Sequence, residues 1–253
     1  MTEQRITTPE TIQPAQPEPW DKPRRILVVL AHPDDPEFFC GATIARWTAA
    51  GHEVRYCLLT CGDKGTSDRS INGDDLCSLR QEEQKAAAAV LGVKSIRYLG
   101  FPDGYLFPDL NLRRAITRVI RQEKPDVAVT CDPTTLFIGY DRLNHPDHRA
   151  AGQATLDALY PAVRDHLNFI ELWQEERLEP HIVNEIWVCG TLEPNVVLDV
   201  TDLWETKIRA LYEHKSQIGD PQKLAERMRK RHSPDTTLEN PRYEEKFRRL
   251  LIG

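Results

Sequence analysis

Six residues in two short clusters carry the chemistry of this sequence. His32, Asp34 and Asp35 stand in "AHPDD", directly after the aliphatic run from Ile26 to Leu30. His145, Asp147 and His148 stand in "NHPDHRAAG", Asn144 to Gly152. Adjacent carboxylates repel, and carboxylates beside a buried strand end need a metal or a base as partner. Two histidines with one carboxylate, and a position left open, form a common catalytic zinc arrangement. A metal there turns bound water into hydroxide near neutral pH, and a spare carboxylate can then serve as the base. A single His-Pro-Asp is an ordinary turn, because Pro sets the backbone and Asp accepts amide hydrogen bonds. Two such clusters, each after a strand-like run, point to a metal. The same donors hold non-haem Fe(II) in oxygenases, although no feature for binding an oxygenase co-substrate is visible here.

The elements that must position these clusters alternate between strand-like and helix-like patterns. Strands are expected at Arg25 to Ala31, Glu53 to Thr60, Ser95 to Gly100 and Asp126 to Cys131. Helices are expected at Phe38 to Ala50, Asp75 to Leu91, Leu110 to Lys124 and Pro146 to Leu159. Such alternation implies a parallel sheet with helices on both faces. Later strands are expected at His181 to Gly190 and Val196 to Thr201, paired through a turn at Glu193-Pro194-Asn195. Asp202 is then expected to cap a helix running to Gln217, with two further helices closing the chain. Open parallel sheets bind ligands beyond the C-terminal ends of their strands. "AHPDD", "TCGDKG", "GFPDG" and the loop from Asp132 to His148 all fall on that rim.

The 253 residues are 40% hydrophobic and 28% charged, which suits one generous globular domain. The expected layout is a flexible arm over 1–23 and a single domain over 24–253. A net charge of −6 does not favour a nucleic-acid partner. No apolar run approaches the ~20 residues of a membrane span. The N-terminus lacks the basic start and apolar stretch of a secretory signal. The six cysteines form no CxxC pair and read as free thiols of a cytoplasmic protein. The basic run "RMRKRH", Arg227 to His232, reads as the last turn of a helix complementing its dipole. The first strand is not followed by GxGxxG, which argues against a dinucleotide cofactor.

Taken in order, "AHPDDPEFFCGATIARW", "TCGDKGTSD", "LRQEEQKAAAAVLG", "FPDG", "HPDHRAAG" and "HKSQIG" resemble the LmbE-like (PIG-L) family of zinc-dependent deacetylases, over roughly Arg25 to Gly219. The resemblance implies a Rossmann-like three-layer α/β/α fold with a mostly parallel central sheet. It implies removal of acetyl groups from N-acetylglucosamine conjugates, so the expected partner is a small N-acetylated sugar conjugate. Zn2+ would be held by His32, Asp35 and His148, with Fe2+ an alternative ion. Asp34 would be the general base. His145 would support the oxyanion or protonate the leaving amine, and Asp147 would orient His145. Many relatives read His-Pro-Asp-Asp-Glu, whereas here Pro36 intervenes before Glu37, which loosens substrate assignment by analogy.

Other residues gain meaning from the resemblance. Arg80, with Glu82 and Glu83 on one helix, reads by itself as a surface ion pair. Asp103 in "FPDGY" reads as an ordinary turn. The resemblance turns both toward sugar hydroxyls. Lys215-Ser216-Gln217 reads as the end of a helix near the rim, and Tyr140 and Arg142 lie on the approach to His145. The segment from Pro161 to His181 suits a lid, a subunit contact or a plain surface, and a homo-oligomer is compatible with the sequence. Two alternatives to the deacetylase are the Fe(II) oxygenase and a non-catalytic sugar or nucleotide-sugar binder.

Overall fold

In the computed structural model, which describes residues 20–252, strand β1 (Arg25–Leu30) is buried along all but its first residue. A run of aliphatics without alternation demands this of a strand covered on both faces. The chain continues through α1 (Asp35–Ala49), β2 (Glu53–Leu58), α2 (Gly73–Val90), β3 (Ser95–Tyr98), α3 (Leu110–Glu123) and β4 (Val127–Cys131). A small hairpin of β5 (Phe137–Ile138) and β6 (Arg142–Leu143) precedes α4 (Pro146–Asp157). The short α5 (Ile170–Gln174), β7 (Glu185–Cys189), β8 (Val196–Asp199), α6 (Trp204–Tyr212), α7 (Lys215–Ile218), α8 (Pro221–Arg229) and β9 (Glu244–Leu251) complete it.

Among the described residues, the main sheet has seven strands in the order β3-β2-β1-β4-β7-β9-β8. Its pairings are parallel except those of β9, which runs antiparallel to both β7 and β8. Alternate residues of β1 serve two cores. Ile26, Val28 and Leu30 pack with Trp47 and Ile208 of α1 and α6, while Leu27 and Val29 pack with Ile116 and Ala151 of α3 and α4. The result is a three-layer α/β/α fold with a mostly parallel sheet. Strand order reverses between β1 and β4, so a crevice opens beyond their C-terminal ends.

Several local expectations are corrected. β7 and β8 do not form a hairpin; β9 lies between them, so the chain closes on a strand rather than on helices. Asp202 caps nothing: α6 starts at Trp204 without a side-chain cap, and Asp202 instead accepts from Arg46 at 2.9 Å. Of the cysteines, Cys61 and Cys77 are joined in a disulfide, while Cys40, Cys57, Cys131 and Cys189 are free and buried. The loop after β2 folds back onto the first turns of α2 and brings that pair together. Most of the arm expected over 1–23 lies outside the described residues. Trp20 packs on its own chain, beside Trp47 and Trp187, and donates to Glu185 Oε2 at 3.0 Å. No helix among the described residues is long and apolar enough to cross a membrane.

One irregularity bears on the site. Helix α1 breaks at Cys40, whose φ of −147° is not helical. The break releases backbone groups that a buried ion pair then satisfies. Glu245 of β9 accepts the amides of Ala42 at 3.2 Å and Thr43 at 2.8 Å, and Lys207 of α6 donates to the Phe38 carbonyl at 2.9 Å. The first turn of α1, which carries Asp35, is thereby set at its own angle.

Candidate active site

Beyond β1 the chain turns sharply, and Asp34 adopts φ 83°, ψ −26°. Aspartate tolerates this left-handed conformation better than most residues, yet it still costs energy. Pro36 occupies the first turn of α1, where a missing N–H is harmless. The turn sends the two acids different ways. Asp35 Oδ2 accepts the His32 amide at 2.8 Å and lies 3.3 Å from His32 Nδ1; Asp35 Oδ1 lies 2.9 Å from His148 Nε2. Asp34 Oδ2 faces Arg80 Nη2 at 3.4 Å, and its amide donates to Gln84 Oε1 at 2.8 Å.

The second cluster reaches the same point from α4. A Cβ at Gly152 would come within 2.2 Å of the Cys131 carbonyl, so only glycine lets α4 lie so close to the end of β4. That approach carries His145 and His148 to the tip of β1. The rings of His32 and His145 lie 4.7 Å apart, and those of His32 and His148 5.3 Å apart. Asn144 Oδ1 stands 3.3 Å from His148 Nδ1. His145 Nδ1 accepts the Asp147 backbone N–H at 3.2 Å, which leaves the proton of a neutral ring on Nε2.

The Asp147 carboxylate, which the resemblance implied would orient His145, faces His32 in this structure. Buried completely, that group accepts the amides of Gly104 at 2.7 Å and Leu106 at 3.2 Å and lies 3.3 Å from His32 Nε2. It therefore orients His32. Asp103 acts beside it, 3.0 Å from His32 Nε2, while its other oxygen accepts the Lys64 amide at 3.1 Å. Arg80 is buried too. Its guanidinium donates to the carbonyls of Pro33 at 2.7 Å and Gly62 at 3.0 Å. Both residues reach the cleft wall; both oxygens of Asp103 and both terminal nitrogens of Arg80 meet protein groups, while Arg80 Nε has no partner. Arg80 thereby braces the turn bearing Asp34, and Asp103 braces His32.

Charge separates the groups further. Burial raises the Asp34 pKa above the ordinary carboxylate range, against the pull of Arg80. Burial also opposes ionisation of Asp35, but His148 and His32 outweigh it and hold that carboxyl well below the range. For His32, burial is outweighed by Asp35, Asp103 and Asp147, and the imidazole is held high. Burial, His32 and His148 together push His145 below the ordinary histidine value.

The donor set fits a divalent ion. Ligand atoms of His32, His145 and His148 lie within 4.8 Å of one another, as do those of His32, Asp103 and Asp147. Asp35 stands between His32 and His148 with one oxygen toward each. Imidazoles converging with a carboxylate, with the rings of His32 and His148 each backed by an oxygen on the other nitrogen, suit zinc or Fe(II). Around them opens a cleft of about 710 Å³, walled also by Phe38, Phe39 and Leu192. That size suits a small molecule. No residue of 161–181 lines it; that segment packs on α3, where Arg121 donates to the carbonyls of Ala162, Asp165 and Asn168. Arg142 lines the cleft, whereas Tyr140 is fully exposed outside it.

Sequence reasoning missed the support behind Asp34. Gln84, which accepts the Asp34 amide, donates to both oxygens of Glu37 at 3.0 Å. Glu37 also accepts from Tyr56 Oη at 3.2 Å and meets His214 Nε2 at 3.1 Å. Glu83 binds the amide and hydroxyl of Ser216, tying α7 to α2. A signal existed: Arg80, Glu83, Gln84 and Ala87 share one helical stripe, and polar residues in a buried stripe mark a network.

Residues 27–159 match the family model PIG-L, GlcNAc-PI de-N-acetylase. The chain is 36% identical over 203 residues to the diacetylchitobiose deacetylase of Thermococcus kodakarensis, covering 80% of this chain and 73% of that protein. It is 32% identical over 206 residues to the probable N-acetyl-α-D-glucosaminyl L-malate deacetylase 2 of Bacillus cereus, covering 77% and 84% respectively. Among solved structures, the N,N'-diacetylchitobiose deacetylase of Pyrococcus horikoshii, complexed with its inhibitor, is similar with a TM-score of 0.79 at 32% identity. That likeness covers 90% of this chain and 84% of that one.

Proposed function

The chain belongs to the PIG-L family, and from that premise we propose that it is a zinc-dependent deacetylase hydrolysing the acetamide of an N-acetylglucosamine-type conjugate. The observation that carries this reading is the divergence of two adjacent acids. Asp35 lies between two imidazoles, while Asp34 is turned aside and held by Arg80. That divergence supports reading one acid as a ligand and the other as a base.

His32, Asp35 and His148 are the residues that would hold the ion. When bound, such an ion supplies Lewis acidity, polarising the acetyl carbonyl and lowering the pKa of water. Asp34 takes the proton of the attacking water, whose oxygen bonds to the acetyl carbon. His145, neutral and with its proton on Nε2, donates to the carbonyl oxygen as charge builds there; one such donor is worth ~3–4 kcal/mol. The carbon–nitrogen bond then breaks, Asp34 returns its proton to the nitrogen, and acetate and a free amine leave. We read His145 as serving the oxyanion because the Asp147 amide occupies its Nδ1 and leaves Nε2–H as the group it offers.

Acetate release from diacetylchitobiose and other N-acetylglucosamine conjugates, with added zinc and with chelator, tests the reading. Release that chelator abolishes and zinc restores is expected. Metal-loaded protein that frees no acetate from any conjugate overturns it. Oxygen consumption with bound iron would instead mark an oxygenase, and tight binding without turnover a binder.

A further inference from the structure

The cleft has a charged outer end that the deacetylation chemistry leaves unused. Arg142 of β6, Arg227 in the last turn of α8 and Arg231 in the turn just after it line the same cavity as His32 and Asp34. A helix dipole attracts cations to its last turn, and that explanation suffices for Arg229, which pairs with Glu205 at 3.2 Å. It does not explain why the neighbouring arginines turn into the cleft. Among the described residues no carboxylate lies within 4.0 Å of Arg227 or Arg231. The contact from Arg142 to Asp141, at 3.9 Å, is long and solvent-exposed, hence weak.

The acids of the cleft are engaged elsewhere. Asp132 Oδ1 accepts from the Thr134 amide at 2.7 Å and hydroxyl at 2.6 Å. Asp34 faces Arg80, and Asp35 faces the imidazoles. Partial loss of hydration and the like charges of Arg227 and Arg142 push the guanidinium of Arg231 below the ordinary arginine range, although Arg227 and Arg231 both remain solvent-exposed. Among the described residues, three cations thus converge with only the long Arg142–Asp141 contact to balance them, beside the apolar walls of Ile138 and Leu192. Guanidinium forks match the geometry of carboxylate and phosphate, and a partly dry wall strengthens such pairs.

We infer that Arg142, Arg227 and Arg231 form an anion subsite at the outer end of the cleft. Resting on the deacetylase reading for its sugar part, the inference makes the substrate an N-acetylated sugar whose aglycone side carries a carboxylate or phosphate. The inner end then holds the acetamide against the histidines, and the arginines fix the far end of the same molecule.

Calorimetric binding to full-length, zinc-loaded Asp34→Asn protein tests this without turnover. Three probes share one sugar: methyl N-acetylglucosaminide, its carboxymethyl counterpart, and N-acetylglucosamine 1-phosphate. At least one anionic probe should bind roughly tenfold or more tighter than the neutral one, and the tighter of the two assigns the anion. Raising the salt from about 0.05 to about 0.5 M should shrink the advantage. Arg227→Glu/Arg231→Glu should abolish it, whereas Arg229→Gln, on the same helix but paired outside, should keep it. Arg142→Gln, on a separate element, should weaken the anionic probes and decides the matter if the helix variant fails to fold. Equal binding of neutral and anionic probes, or an advantage that survives the arginine substitutions, overturns the subsite. Acetate release by the wild type is read separately. Release from the neutral glycoside with no anionic advantage removes the subsite alone. An arginine-dependent advantage without acetate release removes the deacetylase alone.

Discussion

Arg80 Nη2 lies 3.4 Å from Asp34 Oδ2, and the same guanidinium spans the carbonyls of Pro33 and Gly62. Gly62 is shaped for this contact, with φ of +71° and no room for a Cβ, which would stand 2.1 Å from Arg80 Nη1. One rigid fork thus fixes the strained turn and the acid it presents. Lysine keeps the charge but cannot bridge three acceptors. Arg80→Lys is therefore expected to retain zinc and to lower kcat by roughly 10–100-fold, the cost of misplacing a catalytic group by about 1 Å. A residue gripping a sugar hydroxyl would raise KM instead. Steady-state kinetics with metal analysis separates the two, and a raised KM at wild-type kcat would return Arg80 to the substrate.

Asp147 stands behind His32 with both oxygens committed, to the amides of Gly104 and Leu106 and to Nε2 of the ring. Carboxylates in this position hold a ligating imidazole in orientation and raise its basicity. Asp147→Asn preserves the shape and removes the charge. Zinc affinity, measured by competition with a chromophoric chelator, should fall about 10–100-fold. If Asp147 worked through His145 alone, affinity would hold and only kcat would drop.

The parts of this molecule legible in the sequence are those whose signal is local. β1 to β4 are short apolar runs, the helices between them carry the 3.6-residue period, and the polar clusters mark the rim. β9 escaped because its signal is not local. "EEKFRRLL" buries Glu245 and Phe247 on one face, carries charges at Glu244, Lys246, Arg248 and Arg249, and ends in two leucines. Its buried glutamate makes sense only once Lys207 and the broken α1 are beside it. The turn at Glu193-Pro194-Asn195 looked like a hairpin because nothing nearby announces that a distant strand will insert there. Arg80 and Asp103 were found, but their contacts were not, since spacing along a chain does not say which carbonyl or imidazole a side chain will meet.

His214 and Glu37 form a fully buried pair at 3.1 Å, two contacts behind Asp34. Burial works against a charged His214, but the hydrogen bond and charge of Glu37 outweigh it and raise its pKa. A raised folded pKa stabilises the protein fully below the unfolded value near 6.5, and that stabilisation is lost as pH rises through the folded value. His214→Gln should accordingly be most destabilised, relative to wild type, below about pH 6.5. The gap in Tm should narrow as pH climbs above that. Thermal melts at fixed zinc across this range measure it. A gap that stays constant with pH would mean that the pair carries no net charge change on folding.

Lys207 and Glu245 meet at 2.6 Å, each with a side chain only 2% exposed. They answer a local defect: the amides of Ala42 and Thr43 and the carbonyl of Phe38, released where α1 breaks at Cys40, have these two side chains as partners. Removing one member strands the other charge, which costs about 3–5 kcal/mol. Glu245→Ala also orphans two buried amides. Its Tm should fall by roughly 6–20 °C in a chain of this size. Lys207→Met/Glu245→Gln removes both charges yet leaves an oxygen to accept an amide, so it should melt closer to wild type than Glu245→Ala. Because the break sets the angle of the turn bearing Asp35, Glu245→Ala should also bind zinc more weakly at a temperature where it remains folded. Wild-type zinc affinity in a folded Glu245→Ala protein would mean that the two halves of α1 are held in place independently of the break.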